Sequence, residues 1–491
     1  MSVANDDTVT LRIPDYWVEN GFKAGNIVKQ LGFREREIEG VITVIQKGRI
    51  RIRLSNPTPF EYIEIRARKT SNAIHDNTPL LSLKDNVDDL SKITPSNVLE
   101  WSYYPDEYVI RNSDKIVDSW FGKFTFKQEV QERSIKGLRL PQVGAIHSIA
   151  AYMSVKKTDP VTIVLPTGTG KTDTMIASMI LCQMDRILVI VPSDALRNQL
   201  FNNFQRLGCL QKIGAIAEDI TFPRVALLKK ALKTSEQVYA LTSNINVIIA
   251  TPHILRVIDE VLRNDLFMSM NYLFVDEAHH VAARTWDDIK NAFQGKKTIQ
   301  FTATPFRQDG KNIDGRIAYN FPLSEAQEQG YFKKIELHQI TEYSDQLSDY
   351  AIAHKSVDLL IRDLANYDHL LMVRTGSLKR AQEVLGIYQE IAPQYNPVLL
   401  NSNMRESDKN SVLSKLTQRQ SRIIICVDML GEGFDLPNLK IAALHDVHKS
   451  LAVTLQYIGR FTRSASNVGN ASMVFNNADV RVRSEIESLF S

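Results

Sequence analysis

The sequence has few cysteines: Cys182, Cys209 and Cys426 are the only three in 491 residues, and none lies at metal-ligand spacing from another. That excludes a disulfide scaffold and a zinc framework, and it fits buried thiols in a reducing compartment. No apolar run approaches the roughly 20 residues that a membrane-spanning helix needs. Met1 to Asn20 has no apolar core behind basic residues, so no signal peptide is predicted and a cytoplasmic chain with no membrane partner is expected. Charge of one sign is not in excess either. The 59 Lys and Arg residues nearly balance 56 Asp and Glu, for a net charge of +3. There is no global basic field, and any affinity for nucleic acid must come from local patches. Internal repeats and low-complexity tracts are also missing.

What remains is an ordinary globular composition, 44% hydrophobic and 23% charged, long enough for about three domains. Residues 1–130 read as a β-rich accessory module. Gly40–Gln46 and Arg49–Leu54 form a predicted hairpin, and Glu61–Arg68 alternates again. Ile50, Ile52, Leu54, Ile63, Ile65 and Ala67 would face a core. Arg49, Arg51, Arg53, Arg66 and Arg68 would face outward with Tyr62 and Glu64, as a solvated face, a nucleic-acid contact or a partner interface. From residue 131 strands and helices alternate, which predicts parallel sheets covered by helices. Strands are expected at 186–191, 245–250, 271–276 and 298–302. A second series follows at 369–373, 397–400, 422–427, 440–444 and 472–475. The expected domains are 131–325 and 326–491.

The chain is organised around Val161 to Thr172. A β-branched apolar run breaks into Pro166-Thr167-Gly168-Thr169-Gly170-Lys171-Thr172 and then an apolar helix, which is the setting of a phosphate-binding loop. Backbone N–H groups of Thr167 to Gly170 and the helix N-terminus would cradle a polyphosphate. Lys171 would reach the β- and γ-phosphates, and the Thr172 hydroxyl would ligate Mg²⁺. A second strand, Tyr272–Val275, ends in Asp276-Glu277-Ala278-His279. Carboxylates at the end of a buried strand are costly unless they meet a cation. Asp276 is expected to hold Mg²⁺, and Glu277 to orient and deprotonate the attacking water. ATP and Mg²⁺ are thus the expected ligands.

With these motifs in order, the chain resembles the superfamily-2 helicases and translocases of the DEAH/DExH type over residues 135–480. Arg139-Leu140-Pro141-Gln142 is similar to their adenine-recognising motif. Val191-Pro192-Ser193 through Leu200 and Ala250-Thr251-Pro252-His253 are similar to motifs Ia and Ib, and Leu371 to Ser377 to motif IV. Phe301-Thr302-Ala303-Thr304-Pro305 resembles motif III, Val427–Pro437 motif V, and Gln456 to Arg463 motif VI. The resemblance implies two tandem RecA-like α/β domains with ATP between them. Arg460 and Arg463 would then face the γ-phosphate as catalytic arginines, with Gly433 and Asp435 at the nucleotide. His279, Thr302, Thr304 and Gln456 would couple hydrolysis to movement. Pro192, Ser193, Thr251, Arg374 and Thr375 would contact nucleic acid.

Phe321 to Phe332 also resembles the interdomain connector of restriction-enzyme motor subunits and repair helicases, which favours DNA over RNA. No nuclease cluster can be assembled from the remaining residues. The function implied is an ATP-driven nucleic-acid helicase or translocase in a restriction, defence or repair setting, beside a protein partner that supplies recognition or cutting. The alternative is a non-processive ATPase switch that clamps nucleic acid or a partner protein. His445 and His448, which follow a predicted strand, are read as packing or hydrogen-bonding groups rather than catalytic ones.

Overall fold

The computed structural model of the chain describes residues 8–21, 25–46, 48–57, 59–67, 77–85, 90–278, 283–303, 315–331, 335–401, 403–427, 436, 438–446 and 469–478. They build two tandem RecA-like motor domains preceded by a strand-rich region.

The strand-rich region contains β1 (Thr8–Ile13), β2 (Tyr16–Gly21), β3 (Ile27–Phe33), β4 (Arg36–Gln46), β5 (Arg49–Leu54), β6 (Tyr62–Arg66), β7 (Leu80–Leu83) and β8 (Leu99–Tyr103). Six of these form one sheet in the order β1-β4-β5-β6-β7-β8, antiparallel except for the β6–β7 pair. The period-two alternation sends Ile50, Ile52, Leu54, Ile63 and Ile65 into a core with Leu11, Ile13, Ile42 and Leu81. Aromatic rings complete that core. Tyr16 stacks on Tyr104 with centroids 4.0 Å apart, and Trp101 donates to the Pro14 carbonyl at 2.8 Å.

The outer face differs from expectation at Glu64. It lies opposite the isoleucines, as the alternation requires, yet its side chain is 0% exposed. Arg51 is its cross-strand neighbour and reaches it at 3.1 Å, Arg49 contacts the same oxygen, and Arg66 stands 3.9 Å from the other. The arginine stems cover the carboxylate while their heads stay partly wet. Arg53 pairs with Glu61 at 3.6 Å. Much of the apparent basic surface is therefore neutralised internally. Glu64→Gln is expected to cost about 1–3 kcal/mol by leaving clustered guanidiniums without their anion. A melting curve of the variant matching wild type would show that the cluster contributes nothing.

The motor strands are β9 (Val161–Val164), β10 (Ile187–Ile190), β11 (Val225–Leu227), β12 (Val247–Ala250), β13 (Tyr272–Asp276), β14 (Lys297–Thr302) and β15 (Arg316–Asn320), then β16 (Ile335–Ile340), β17 (Leu370–Thr375), β18 (Val398–Leu400), β19 (Ile423–Val427), β20 (Leu439–Leu444) and β21 (Ala471–Asn476). The chain groups into two compact units. One holds Met1–Leu138, Met175–Ile190 and Arg197–Leu273, and the other Arg139–Thr174, Val191–Leu196 and Phe274–Ser491.

In the first unit β10, β12 and β11 are parallel neighbours. β3 then adds antiparallel to β11, and β2 to β3. The N-terminal region thus lends two strands to a motor sheet, which the sequence alternation did not announce. Side chains fasten the seam: Gln30 donates to Phe222 O at 3.2 Å, and Trp120 to Thr221 O at 2.8 Å.

In the second unit β9 lies between β14 and β15, all parallel. The other sheet runs β16-β21-β20-β17-β19-β18, also parallel throughout. β17 and β19 are buried along almost their whole length, as expected for strands covered on both faces. Among the described residues no helix is long and apolar enough to cross a membrane.

Candidate functional site

β9 delivers the chain into the loop that precedes the helix Lys171–Leu181. Leu165 donates its N–H to Thr302 O at 2.9 Å, so it still extends the sheet. It is fully buried, as suits an apolar residue that still belongs to the sheet. The loop then closes through Thr169, whose N–H and hydroxyl both donate to Pro166 O, at 3.2 and 2.7 Å. Gly168 and Gly170 take φ values of +95° and +98°, a region that residues with a Cβ rarely enter. The buried Thr167 hydroxyl has no hydrogen-bond partner within the protein. A loop with two glycines at positive φ, an unsatisfied hydroxyl and a helix N-terminus fits a polyphosphate.

β13 brings the acidic pair to the same place. Asp276 and Glu277 are 4% and 7% exposed. Lys171 Nζ lies 3.6 Å from Asp276 Oδ1 and directly contacts Glu277 Oε1. Burial opposes the charge on Lys171, but the two carboxylates outweigh it and hold its ammonium above the ordinary lysine range. Glu277 has a φ of +48°, and its N–H donates to Asp276 Oδ1 at 3.0 Å. A glutamate held in the left-handed region marks a strained strand end, and such strain concentrates at working sites. Thr302, also fully buried, closes β14 in register with Val164.

Arg139 and Gln142 sit at the start of the helix Leu140–Ser154 and grip this loop. Gln142 Oε1 accepts from Arg139 N at 2.8 Å, and its Nε2 donates to Gly170 O at 3.2 Å. A Cβ at Gly170 would collide with that amide. Arg139 donates to Gly168 O and lies over the Tyr331 ring at 5.9 Å, while the Tyr331 hydroxyl accepts from Leu140 N at 2.9 Å. Gln142, in the motif expected to recognise adenine, is thus 3% exposed and engaged with the loop. Thr172 is half-buried in the first turn of the helix.

Other expected site residues are placed as follows. Ser193 caps the helix Asp194–Gln205 by accepting from Leu196 N at 3.4 Å, with Pro192 half-buried before it. Thr251 caps Pro252–Arg256 by accepting from Ile254 N at 3.5 Å. Arg374 and Thr375, expected at the nucleic acid, are placed inside the second motor domain. They are the last residues of the central strand β17 and are 1% and 0% exposed; exposure begins at Gly376. His279, Thr304, Gly433, Asp435, Gln456, Arg460, Arg463 and His448 lie outside the described residues.

A polar network in the second motor domain escaped the sequence reading. Asp349 accepts from His445 Nδ1 at 2.8 Å and from Arg380 Nη2 at 3.0 and 2.9 Å. Arg380 Nε donates to Asp446 Oδ1 at 3.2 Å, and Asp446 Oδ2 accepts from Gly376 N at 2.8 Å. His445 Nε2 meets the Tyr388 hydroxyl at 3.1 Å. The loops after β17 and β20 are tied together by these groups. His445 is a hydrogen-bonding residue here, and only the pairing of distant helices identifies its partners.

Comparison with known proteins gives the family. Residues 135–307 match the domain described as "Type III restriction enzyme, res subunit", and residues 355–465 match "Helicase conserved C-terminal domain". The chain carries the paired motor domains of a superfamily-2 helicase. It is 21% identical over 337 residues to an ATP-dependent rRNA helicase RRP3 of Coccidioides immitis, covering 66% of each chain. It is 23% identical over 261 residues to a putative helicase 22 of a Sulfolobus islandicus filamentous virus, covering 46% of each. The chain thus spans 66% of the length of the first of these curated relatives and 46% of the second. A solved fragment of a putative HsdR subunit of a type I restriction enzyme from Vibrio vulnificus YJ016 shares the fold, with a TM-score of 0.52 at 15% identity, over 79% of this chain and 73% of that one. Helicase domains of this kind hydrolyse ATP to drive a motor.

Proposed function

We propose that this chain is an ATP-driven translocase or helicase acting on nucleic acid, preferably DNA, with Mg²⁺ as cofactor. The observation that carries the reading is the convergence of Lys171, Asp276 and Glu277 beside a loop built for polyphosphate. ATP would displace the Walker-type lysine from its two carboxylates. Lys171 then compensates phosphate charge, and Glu277 becomes free to accept a proton from the attacking water. Mg²⁺, held by Thr172 and Asp276, would neutralise charge on the phosphates. By the motif VI resemblance, Arg460 and Arg463 would complete the charge compensation, a role that accelerates such reactions by about 10³–10⁵-fold elsewhere.

The DNA preference rests on the restriction-subunit description of the first motor domain and on the connector resemblance of Phe321 to Phe332. The rRNA helicases among the curated relatives pull the other way. We place the nuclease or recognition function in a partner. The deciding experiment measures ATPase stimulation by single-stranded DNA, duplex DNA and RNA, with triplex displacement read in parallel. DNA is expected to stimulate most, and a displaced third strand to appear with ATP. Stimulation by RNA alone would reverse the substrate assignment, and stimulation without displacement or unwinding would reduce the chain to a switch. Strand breaks that need ATP and vanish in Lys171→Ala would place the nuclease in this chain.

A further inference from the structure

The end of β11 carries an arrangement that the helicase motifs do not use. β11 runs parallel to β12 with Leu227 opposite Ile249, and Leu228 N donates to Ile249 O at 3.0 Å. The next two residues therefore leave the sheet level with Thr251 and Pro252. They are Lys229 and Lys230, both exposed.

Their backbone is fixed from two sides. Asn26, just before β3 and 4% exposed, accepts from Lys229 N at 2.8 Å and from Lys230 N at 2.9 Å, and donates to Lys230 O at 3.2 Å. Arg197, 5% exposed, donates to Leu228 O at 3.1 Å. Gly25 has a φ of +76°, and a Cβ there would lie 2.9 Å from the Lys230 side chain. Glycine at the hairpin lets that side chain lie across it.

Charge pairing makes the contrast. Three other cations of this unit have carboxylates at hand: Lys123 with Asp219 at 2.5 Å, Arg111 with Asp106 at 2.7 Å, and Arg186 with Asp185 at 3.1 Å. Among the described residues, no carboxylate lies within ion-pair distance of Lys229 or Lys230. A buried asparagine devotes its whole amide to holding two adjacent lysine residues that have no such carboxylate. In a chain of net charge +3, local devices of this kind must supply any affinity for polyanions.

We propose that Lys229 and Lys230 form a phosphate-binding station for a nucleic-acid strand, and that the N-terminal β2–β3 hairpin positions it through Asn26. The station lies at the carboxyl ends of parallel strands, where α/β sheets take their ligands, in line with the capped Thr251. The N-terminal region thereby acquires a role, which is to set two lysines on the track rather than to grip DNA with its arginine face. The proposal rests on the nucleic-acid reading above, and the test separates the two.

Labelled oligothymidylate, oligouridylate and a DNA duplex of equal length are titrated against the full chain over a range of salt. Lys229→Ala/Lys230→Ala should retain the wild-type melting temperature, because both side chains are exposed. Its affinity should fall on the order of tenfold or more. The log–log salt slope should flatten by about 1.4 for a single strand or 1.8 for a duplex, as two phosphate contacts are lost. Asn26→Ala keeps both charges, so affinity should fall with little change in slope. Wild-type chain that binds none of the three probes would overturn the nucleic-acid reading itself. Wild type that binds while the double variant keeps its affinity and slope would overturn the station alone. Should Asn26→Ala fail to fold, the double variant still decides the matter.

Discussion

Lys171→Ala is expected to lower ATP turnover by about 10²–10³-fold or more, the scale on which losing one charge-stabilising donor acts. The structure adds a second effect that sequence motifs do not foretell. Without nucleotide, Lys171 faces Asp276 and Glu277, both almost fully buried. Removing it takes the lysine charge away from two buried carboxylates, at a cost of about 3–5 kcal/mol. The ATP-free variant should therefore melt on the order of 10 °C below wild type. Lys171→Ala/Glu277→Gln should recover part of that loss without recovering activity. Glu277→Gln alone should still bind ATP but trap the bound state, since the proton acceptor is gone. Near wild-type hydrolysis by Glu277→Gln would remove Glu277 as the base. An unchanged melting temperature in Lys171→Ala would mean that the lysine–carboxylate contact does not hold in solution.

The second large effect is expected at Asp349. Burial alone would raise its pKa, but the hydrogen bond from His445 and the bidentate contact from Arg380 outweigh burial and hold it below the ordinary 3.8. The stability it contributes is fully present above that value and is lost as pH falls through the lower folded pKa. Asp349→Asn should destabilise the second motor domain by about 3 kcal/mol, at the low end for a broken buried pair because Arg380 is a third exposed. Calorimetry at neutral pH would show a drop of roughly 6–12 °C in the transition of that domain. The acid limb of its stability curve should also become shallower. Equal curves for variant and wild type would mean that the network is ornamental to folding. Because Gly376 N hangs on Asp446, and Asp446 on Arg380, loss of Asp349 should also loosen the loop after β17.

The motor strands were legible because a parallel sheet writes itself as short β-branched runs. β10, β12, β13, β14, β17, β19 and β20 fall within a residue or two of their expected ranges. β11 and β15 were not legible. β11 has three residues and is fixed by its neighbours on both sides rather than by periodicity, and β15 lies just before the stretch that reads as a connector. Local pattern also misjudged Glu64, where alternation gives the face but not what other strands lay over it.

The glycine-rich loop, the acidic strand end and the order of the motifs could all be read from the chain as written. In each case a few contiguous residues carry the chemistry: two glycines that permit positive φ, a lysine at a helix start, carboxylates after a buried strand. Folding in three dimensions settled what those residues touch. It set Lys171 against Asp276 and Glu277 across more than a hundred residues of chain, turned Gln142 onto Gly170, and buried Arg374 and Thr375 in a central strand. It also joined Asp349 to His445 and Asn26 to Lys229. Side-chain hydrogen bonds and ion pairs depend on distance in space, and no local periodicity in the chain encodes which distant partner arrives.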